Sequence, residues 1–232
     1  MALSRSFDRN VHVFDPQRPE EPLGGLYLNP SVTKGKFLRM LAVFIHPNGH
    51  YKVWREGAEA ALNSSAEPLE PGRYYIIRDS PDVAITVSHE QCITRAYSRT
   101  VSRRDRHFRE QVRARDGKCV ITGNSNPAAH RGYWSGFEAA HIFPSSHEEL
   151  FKALDFPRHI TLKAGCSDSG INSCQNGLLM QSNVHQQFDS FGFGIDPDDS
   201  YKITFFMEDA FGLDGRILDP ACRNPEDERK VW

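Results

Sequence analysis

The chain has no apolar run long enough to cross a bilayer. Its most apolar stretch, Phe37 to His46, is short and contains Arg39. The opening residues, Met1-Ala2-Leu3-Ser4-Arg5-Ser6-Phe7-Asp8, lead straight into polar and charged side chains, so a secretory leader is not expected. Cysteine is sparse. The five (Cys92, Cys119, Cys166, Cys174, Cys222) are odd in number, widely spaced and without a C-x-x-C pair. That pattern argues against a disulfide scaffold and against a structural zinc ribbon. Reduced thiols follow, and with them an intracellular protein, cytoplasmic or nuclear. Internal repeats and low-complexity tracts are lacking too. So is an excess of positive charge: the net charge is −2. A protein that grips nucleic acid mainly through phosphates is usually basic, so the global balance counts against a simple DNA-coating role.

At 232 residues the chain fits one large domain or two small ones. Its charge is uneven. Residues 97–118 hold eight Lys/Arg against three Asp/Glu, whereas from Asp196 onward ten acidic residues meet five basic ones. The expected fold class is α+β, with a β-rich region over 1–96, a mixed domain over 97–218 and a charged, poorly ordered tail over 219–232. Alternation and β-branched or aromatic content predict strands at Val11–Phe14, Leu38–Ile45, His50–Trp54, Tyr74–Ile77 and Val83–Val87. Pro47-Asn48-Gly49 predicts a hairpin turn, and residues 56–70 a surface loop.

Ser102 is placed to cap a helix running to about Arg115 and stopped by Asp116-Gly117. Val101, Phe108 and Val112 share one face of it, with Arg103, Arg106 and Arg113 roughly opposite. Those three arginines could grip phosphate or simply face water beside Asp105 and Glu110. A short strand and turn at Cys119–Gly123 and a polar loop at 124–136 come next. Two short strands and a helix are then expected over about 137–190, interrupted by a connection from Pro144 to Gln175. That connection should hold a helix at Ser146–Leu154 and a flexible section at Gly165–Ser173. A closing hairpin is expected around Pro197-Asp198-Asp199.

Three side chains in this half carry chemistry. His141 ends a strand in Glu-Ala-Ala-His-Ile-x-Pro, Asn176 precedes Gly177-Leu178-Leu179, and His185 begins His-x-x-Phe-Asp, with Asp189 one helical turn on. Hydrolysis of a phosphodiester needs a base for water, neutralisation of the phosphoryl charge and stabilisation of the leaving oxygen. A neutral imidazole suits the first task and a divalent ion the other two. With Arg115-Asp116-Gly117-x-Cys119 upstream, residues of about 109–206 resemble the HNH endonuclease family in order and spacing. The closest likeness is to fungal HNH-domain proteins with a β-rich region before the nuclease-like core.

The resemblance implies a β-β-α metal fold and a hydrolase that cuts DNA. It implies His141 as general base, Asn176 holding the loop and helping to orient the His141 ring, and His185 on the metal or the scissile phosphate. Asp189 is the accompanying ligand or the group that orients His185. Mg²⁺ is the expected ion, with Zn²⁺, Mn²⁺ or Ni²⁺ as alternatives.

The chain departs from the family at Ala140, where many members carry a metal-binding side chain. Glu138 is the nearest carboxylate, but its odd offset from His141 turns it to the other strand face, about 10 Å along the chain. On that ground it is not expected to join His141 and His185 around one ion. His147, His159 and Asp168 are candidate substitutes. Cys166 and Cys174 are read as free loop thiols or metal ligands, His130 as a loop residue, and Arg131 and Trp134 as substrate contacts or loop packing. An enzyme of the same fold acting on a small molecule, and a catalytically silent binding module, stay open as alternatives. Oligomeric state is not legible.

Overall fold

A computed structural model of the chain describes residues 8–47, 50–79, 85–87, 103–162 and 169–231. Ten strands and four α-helices lie among them: β1 (Val11–Phe14), β2 (Pro22–Leu26), α1 (Lys34–Phe44), β3 (Ile45–Pro47), β4 (Tyr51–Arg55), β5 (Gly72–Arg78), β6 (Ile85–Val87), α2 (Arg103–Asp116), β7 (Phe137–His141), α3 (Glu148–Ala153), β8 (Gly177–Gln181), α4 (Ser182–Asp189), β9 (Phe193–Asp196) and β10 (Lys202–Phe205). The mixture of helices and small sheets is α+β, as expected. Among the described residues no helix is long and apolar enough to cross a membrane. Ser102, Val101, Asn48, Gly49, Val83, Ala84, Cys92, Cys166 and Asp168 lie outside the described residues.

The chain divides into two compact units that do not follow its order. The first takes Met1–Cys92, Gly192–Asp196 and Ile203–Gly215; the second takes Ile93–Phe191, Pro197–Lys202 and Arg216–Trp232. The segments expected over 1–96, 97–218 and 219–232 are consecutive, whereas these units interleave.

In the first unit a four-stranded sheet runs in the order β2-β1-β5-β4, with β1 parallel to β5 and its other pairs antiparallel. Val11, Val13, Val53, Tyr74 and Ile76 of the sheet form a core with Phe37, Leu41 and Ile45. The stretch expected as a strand over Leu38–Ile45 is helix α1. Thr33 caps it by accepting a hydrogen bond from the Lys36 backbone N–H at 3.2 Å. Phe37 and Leu41, one turn apart, are both buried while Arg39, which a strand would turn to the same face, is exposed, as helical spacing requires. The turn expected at Pro47-Asn48-Gly49 lies partly outside the described residues; among those described, the strands on either side of it pair elsewhere. β3 pairs with β6, and β4 with β5. The strands β9 and β10 pair with each other. They are tied in by Asn29 Nδ2, which donates to the Phe205 and Met207 carbonyls at 3.1 and 2.9 Å. Asp214 adds to this by accepting from the Ser31 and Phe205 backbone N–H groups at 2.8 and 3.0 Å.

The second unit is built on the β7–β8 hairpin, paired antiparallel from Phe137↔Gln181 to His141↔Gly177. α4 follows β8 without a loop, completing β-β-α. α2 packs on both strands through Phe108 and Val112, and ends at Gly117 in the left-handed region (φ 65°). Cys119–Gly123 forms turns, not the expected short strand. The connection between β7 and β8 holds α3 and its own apolar cluster of Phe151, Ile160 and Ile171 with Phe143 and Phe156. Ser169, Ile171 and Ser173, within the section expected to be flexible, are buried. The expected tail is packed as well: Cys222 and Val231 are buried, and the carbonyls of Glu228 and Arg229 accept from Gln175 Nε2 and Arg115 Nη1 at 2.9 and 2.8 Å. Its acidic composition concealed these backbone acceptors.

Candidate active site

A buried ion pair sets the frame. The Arg115 and Asp116 side chains are fully buried and bonded to each other by two hydrogen bonds of 2.6 and 3.0 Å. The guanidinium also donates to the carbonyls of Cys174 and Gly177, both at 2.6 Å. Asp116 Oδ2 accepts from the Leu179 N–H at 2.8 Å. The C-terminus of α2 is thereby locked to β8 and to the residues around Asn176. Burial pushes the Asp116 carboxyl pKa up, against the pull of Arg115.

Gly177 completes this contact. Its backbone is ordinary extended chain, but a Cβ there would stand 2.5 Å from the Phe108 ring and 2.8 Å from Val112. Only glycine lets α2 approach so closely. Asn176 closes the short 3-10 turn Cys174–Asn176 and supplies hydrogen bonds, and the glycine that follows supplies room.

Asn176 is completely buried and uses both ends of its carboxamide. Oδ1 accepts from the Phe143 N–H at 2.8 Å, and Nδ2 donates to the carbonyls of Phe143 at 3.0 Å and Ile171 at 2.8 Å. It fastens the chain just after His141 to the chain just before β8. The His141 ring meets another asparagine. Its Nε2 lies 3.1 Å from Asn172 Oδ1, and its face stacks on Phe108 with centroids 3.9 Å apart and planes 9° apart. With Asn172 Oδ1 accepting, Nε2 carries the hydrogen, and the tautomer held is the one whose basic nitrogen is Nδ1. Sequence reasoning missed Asn172, although Asn172, Gln175 and Asn176 put three carboxamides in one short loop.

His185 stands on α4 between two carboxylates. Nδ1 is 2.6 Å from Glu138 Oε2, and Nε2 is 3.3 Å from Asp189 Oδ2. Ser182 Oγ donates to the other Glu138 oxygen at 2.9 Å. Burial pulls the imidazole pKa down, but hydrogen bonds and charge from Asp189 and Glu138 outweigh it and hold it above its ordinary value. Strand alternation explains the arrangement. Glu138 and Ala140 face α4, and His141 faces α2. The expected opposition of Glu138 and His141 is therefore present. What the offset argument overlooked is that Glu138 shares its face with His185. The fold brings His141 together with Asn172 and Asn176, and His185 together with Glu138 and Asp189, on the two faces of β7.

Among the described residues no three His, Cys, Asp or Glu side chains form a ready cage for an ion. A carboxylate touching an imidazole nonetheless suits a hard divalent ion that keeps several waters and takes further oxygens from a phosphate. His147 and His159 lie in the connection, where the His159 ring accepts from Arg158 Nε at 3.0 Å. Cys119, Cys174 and Cys222 are buried free thiols, and burial, with Asp116 nearby, pushes Cys222 up to about 12.

The three arginines differ. Arg106 is exposed, and the side chain of Arg103 is outside the described set. Arg113 is partly buried, with its guanidinium 4.8 Å from the Trp134 ring centre. That stack occupies one face of the group expected to meet phosphate, and it gives Trp134 a packing role.

No curated protein and no solved structure matches the chain. Residues 8–82 match the model of a domain of unknown function, DUF8573, which assigns the first unit no activity. Residues 119–196 match the family model described as HNH endonuclease, a stretch that spans β7, β8 and α4 and includes His141, Asn176 and His185. Residues 119–196 therefore form a domain that matches the HNH endonuclease family.

Proposed function

We propose that the protein is a metal-dependent nuclease that hydrolyses DNA phosphodiester bonds, with His141 as general base. The observation that carries this reading is the support of His141: stacked on Phe108, hydrogen-bonded to Asn172, and followed by a loop that Asn176 fastens. A base held in one tautomer by packing and hydrogen bonds can take a proton from an attacking water without first reorganising. Asn176 acts by holding the loop, and the carboxamide that meets the ring is Asn172.

HNH endonucleases generally use a divalent ion, and here His185 would hold it, with Glu138 and Asp189 at hand. Mg²⁺ is the first choice for oxygen-rich coordination, with Mn²⁺, Zn²⁺ and Ni²⁺ as alternatives. When bound, such an ion neutralises charge on the phosphoryl group and the leaving oxygen. A phosphodiester lying over the end of β7 would have His141 to one side and the His185 group to the other. Arg106, exposed on α2, and Arg103 of the same helix are the arginines that would meet the backbone of the nucleic acid. The buried free thiols suit a reducing cytoplasm or nucleus.

The test is nicking of supercoiled plasmid by purified protein with Mg²⁺, Mn²⁺ or Ni²⁺. Metal-dependent nicking that EDTA abolishes is the expected result. No hydrolysis of plasmid, linear duplex or single strands with any of these ions would leave the domain without the proposed activity.

A further inference from the structure

The position before His141, turned toward α4, is Ala140, and it is fully buried and has no donor to offer. Two residues earlier on the same strand face stands Glu138. Its side chain is about half exposed (47%), it touches His185 Nδ1 at 2.6 Å, and Ser182 fixes its second oxygen. The other nitrogen of His185 faces a different environment. Asp189 sits at 3.3 Å from Nε2, is only 14% exposed, and lies one turn along the same helix. The imidazole thus has an open side bearing Glu138 and a closed side bearing Asp189. An ion that also takes waters and a substrate phosphate needs the open side. A carboxylate on the closed side does what partners of ligating histidines commonly do, which is to accept the remaining N–H and set the ring.

We propose that Glu138 and His185 Nδ1 are the two protein donors to the divalent ion. Asp189 is a positioning residue that orients His185 through Nε2. The carboxylate absent at position 140 is supplied two residues earlier, on the same face. The assignment rests on the metal-dependent reading given above, and it moves Asp189 from ligand to support.

The test uses the full-length protein stripped of metal, with Mn²⁺ binding followed by calorimetry and Co²⁺ binding by visible absorption. Glu138→Gln is expected to weaken Mn²⁺ binding by more than about 100-fold and to change the Co²⁺ bands. Asp189→Ala is expected to weaken Mn²⁺ binding by about 10–100-fold, the range for loss of a supporting partner, with the Co²⁺ bands unmoved. Glu138 is half exposed, so its variant should fold, and circular dichroism with the unfolding midpoint verifies this. Unchanged Mn²⁺ affinity in Glu138→Gln, beside a wild type that binds, would overturn the assignment and leave the nuclease reading intact. Bands that shift in Asp189→Ala and not in Glu138→Gln would reverse the two roles. A wild type that binds neither ion would remove both the assignment and the metal-dependent reading.

Discussion

Replacing Gly177 by alanine adds one methyl group at the point where α2 presses on β8. The backbone there is extended, so alanine meets no conformational penalty and the whole effect is packing. The new Cβ would lie 2.5 Å from Phe108 Cε2, where ordinary van der Waals contact begins at 3.4 Å, so the ring must retreat by nearly an ångström. Phe108 has little room to do so. It is 1% exposed, Val112 crowds the same methyl at 2.8 Å, and the His141 ring lies parallel to it at 3.9 Å. Overpacking of this kind costs about 1–3 kcal/mol, which for a chain of this size lowers the unfolding midpoint by roughly 2–12 °C. The catalytic effect should exceed the stability effect. An ångström of displacement at a base can cost on the order of 100-fold in rate. Calorimetry and plasmid nicking at a temperature well below both midpoints separate the two effects. Combining Gly177→Ala with Phe108→Leu should cost less stability than the two changes summed, because the second makes space for the first. A Gly177→Ala protein with wild-type midpoint and wild-type rate would refute the argument that α2 sets the His141 platform.

Two further outcomes follow from the same frame. Arg115→Met strands the buried Asp116 carboxylate and the carbonyls of Cys174 and Gly177, and should cost about 3–5 kcal/mol in urea unfolding; Arg115→Lys should rescue little, since one ammonium cannot reproduce the forked contacts. In metal-free protein His185 has a raised pKa in the fold, so its favourable contribution is complete below its unfolded value of about 6.5 and is lost as pH rises through the folded value. The stability gap between wild type and His185→Gln should therefore be larger at about pH 5.5 than at about pH 8.5, measured by urea unfolding in EDTA. A gap that widens toward alkaline pH would contradict the imidazole's place between two carboxylates.

The β-β-α order was legible because its elements are local: one strand, one strand–helix junction, and side chains at fixed spacing along each. His141, Asn176 and His185 could be named because each sits where a strand ends or a helix turns. Their surroundings could not be named, since they depend on contacts across the chain. Phe108 and Val112 were readable as an apolar face, but not as the wall that forces glycine at 177. Glu138 was judged against His141, its neighbour in sequence, when the relevant partner was His185, which is 47 residues away. α1 read as a strand because Leu38–Ile45 is apolar and ends in Val43-Phe44-Ile45, and the Thr33 cap, the helix formers Leu38 to Ala42 and the exposure of Arg39 between buried Phe37 and Leu41 decide otherwise. The interleaving of the two units had no local signal. It depends on Asn29 and Asp214 bonding to backbone groups far along the chain, and any polar residue could have been written at those positions for other reasons.

The most direct test of His141 as general base is a paired measurement on the His141→Ala protein of duplex binding and of single-turnover hydrolysis with Mg²⁺ or Mn²⁺. The structure predicts binding within a few-fold of wild type and hydrolysis lowered by about 100-fold or more, the scale of a lost general base. Hydrolysis at the wild-type rate by that variant would contradict the assignment.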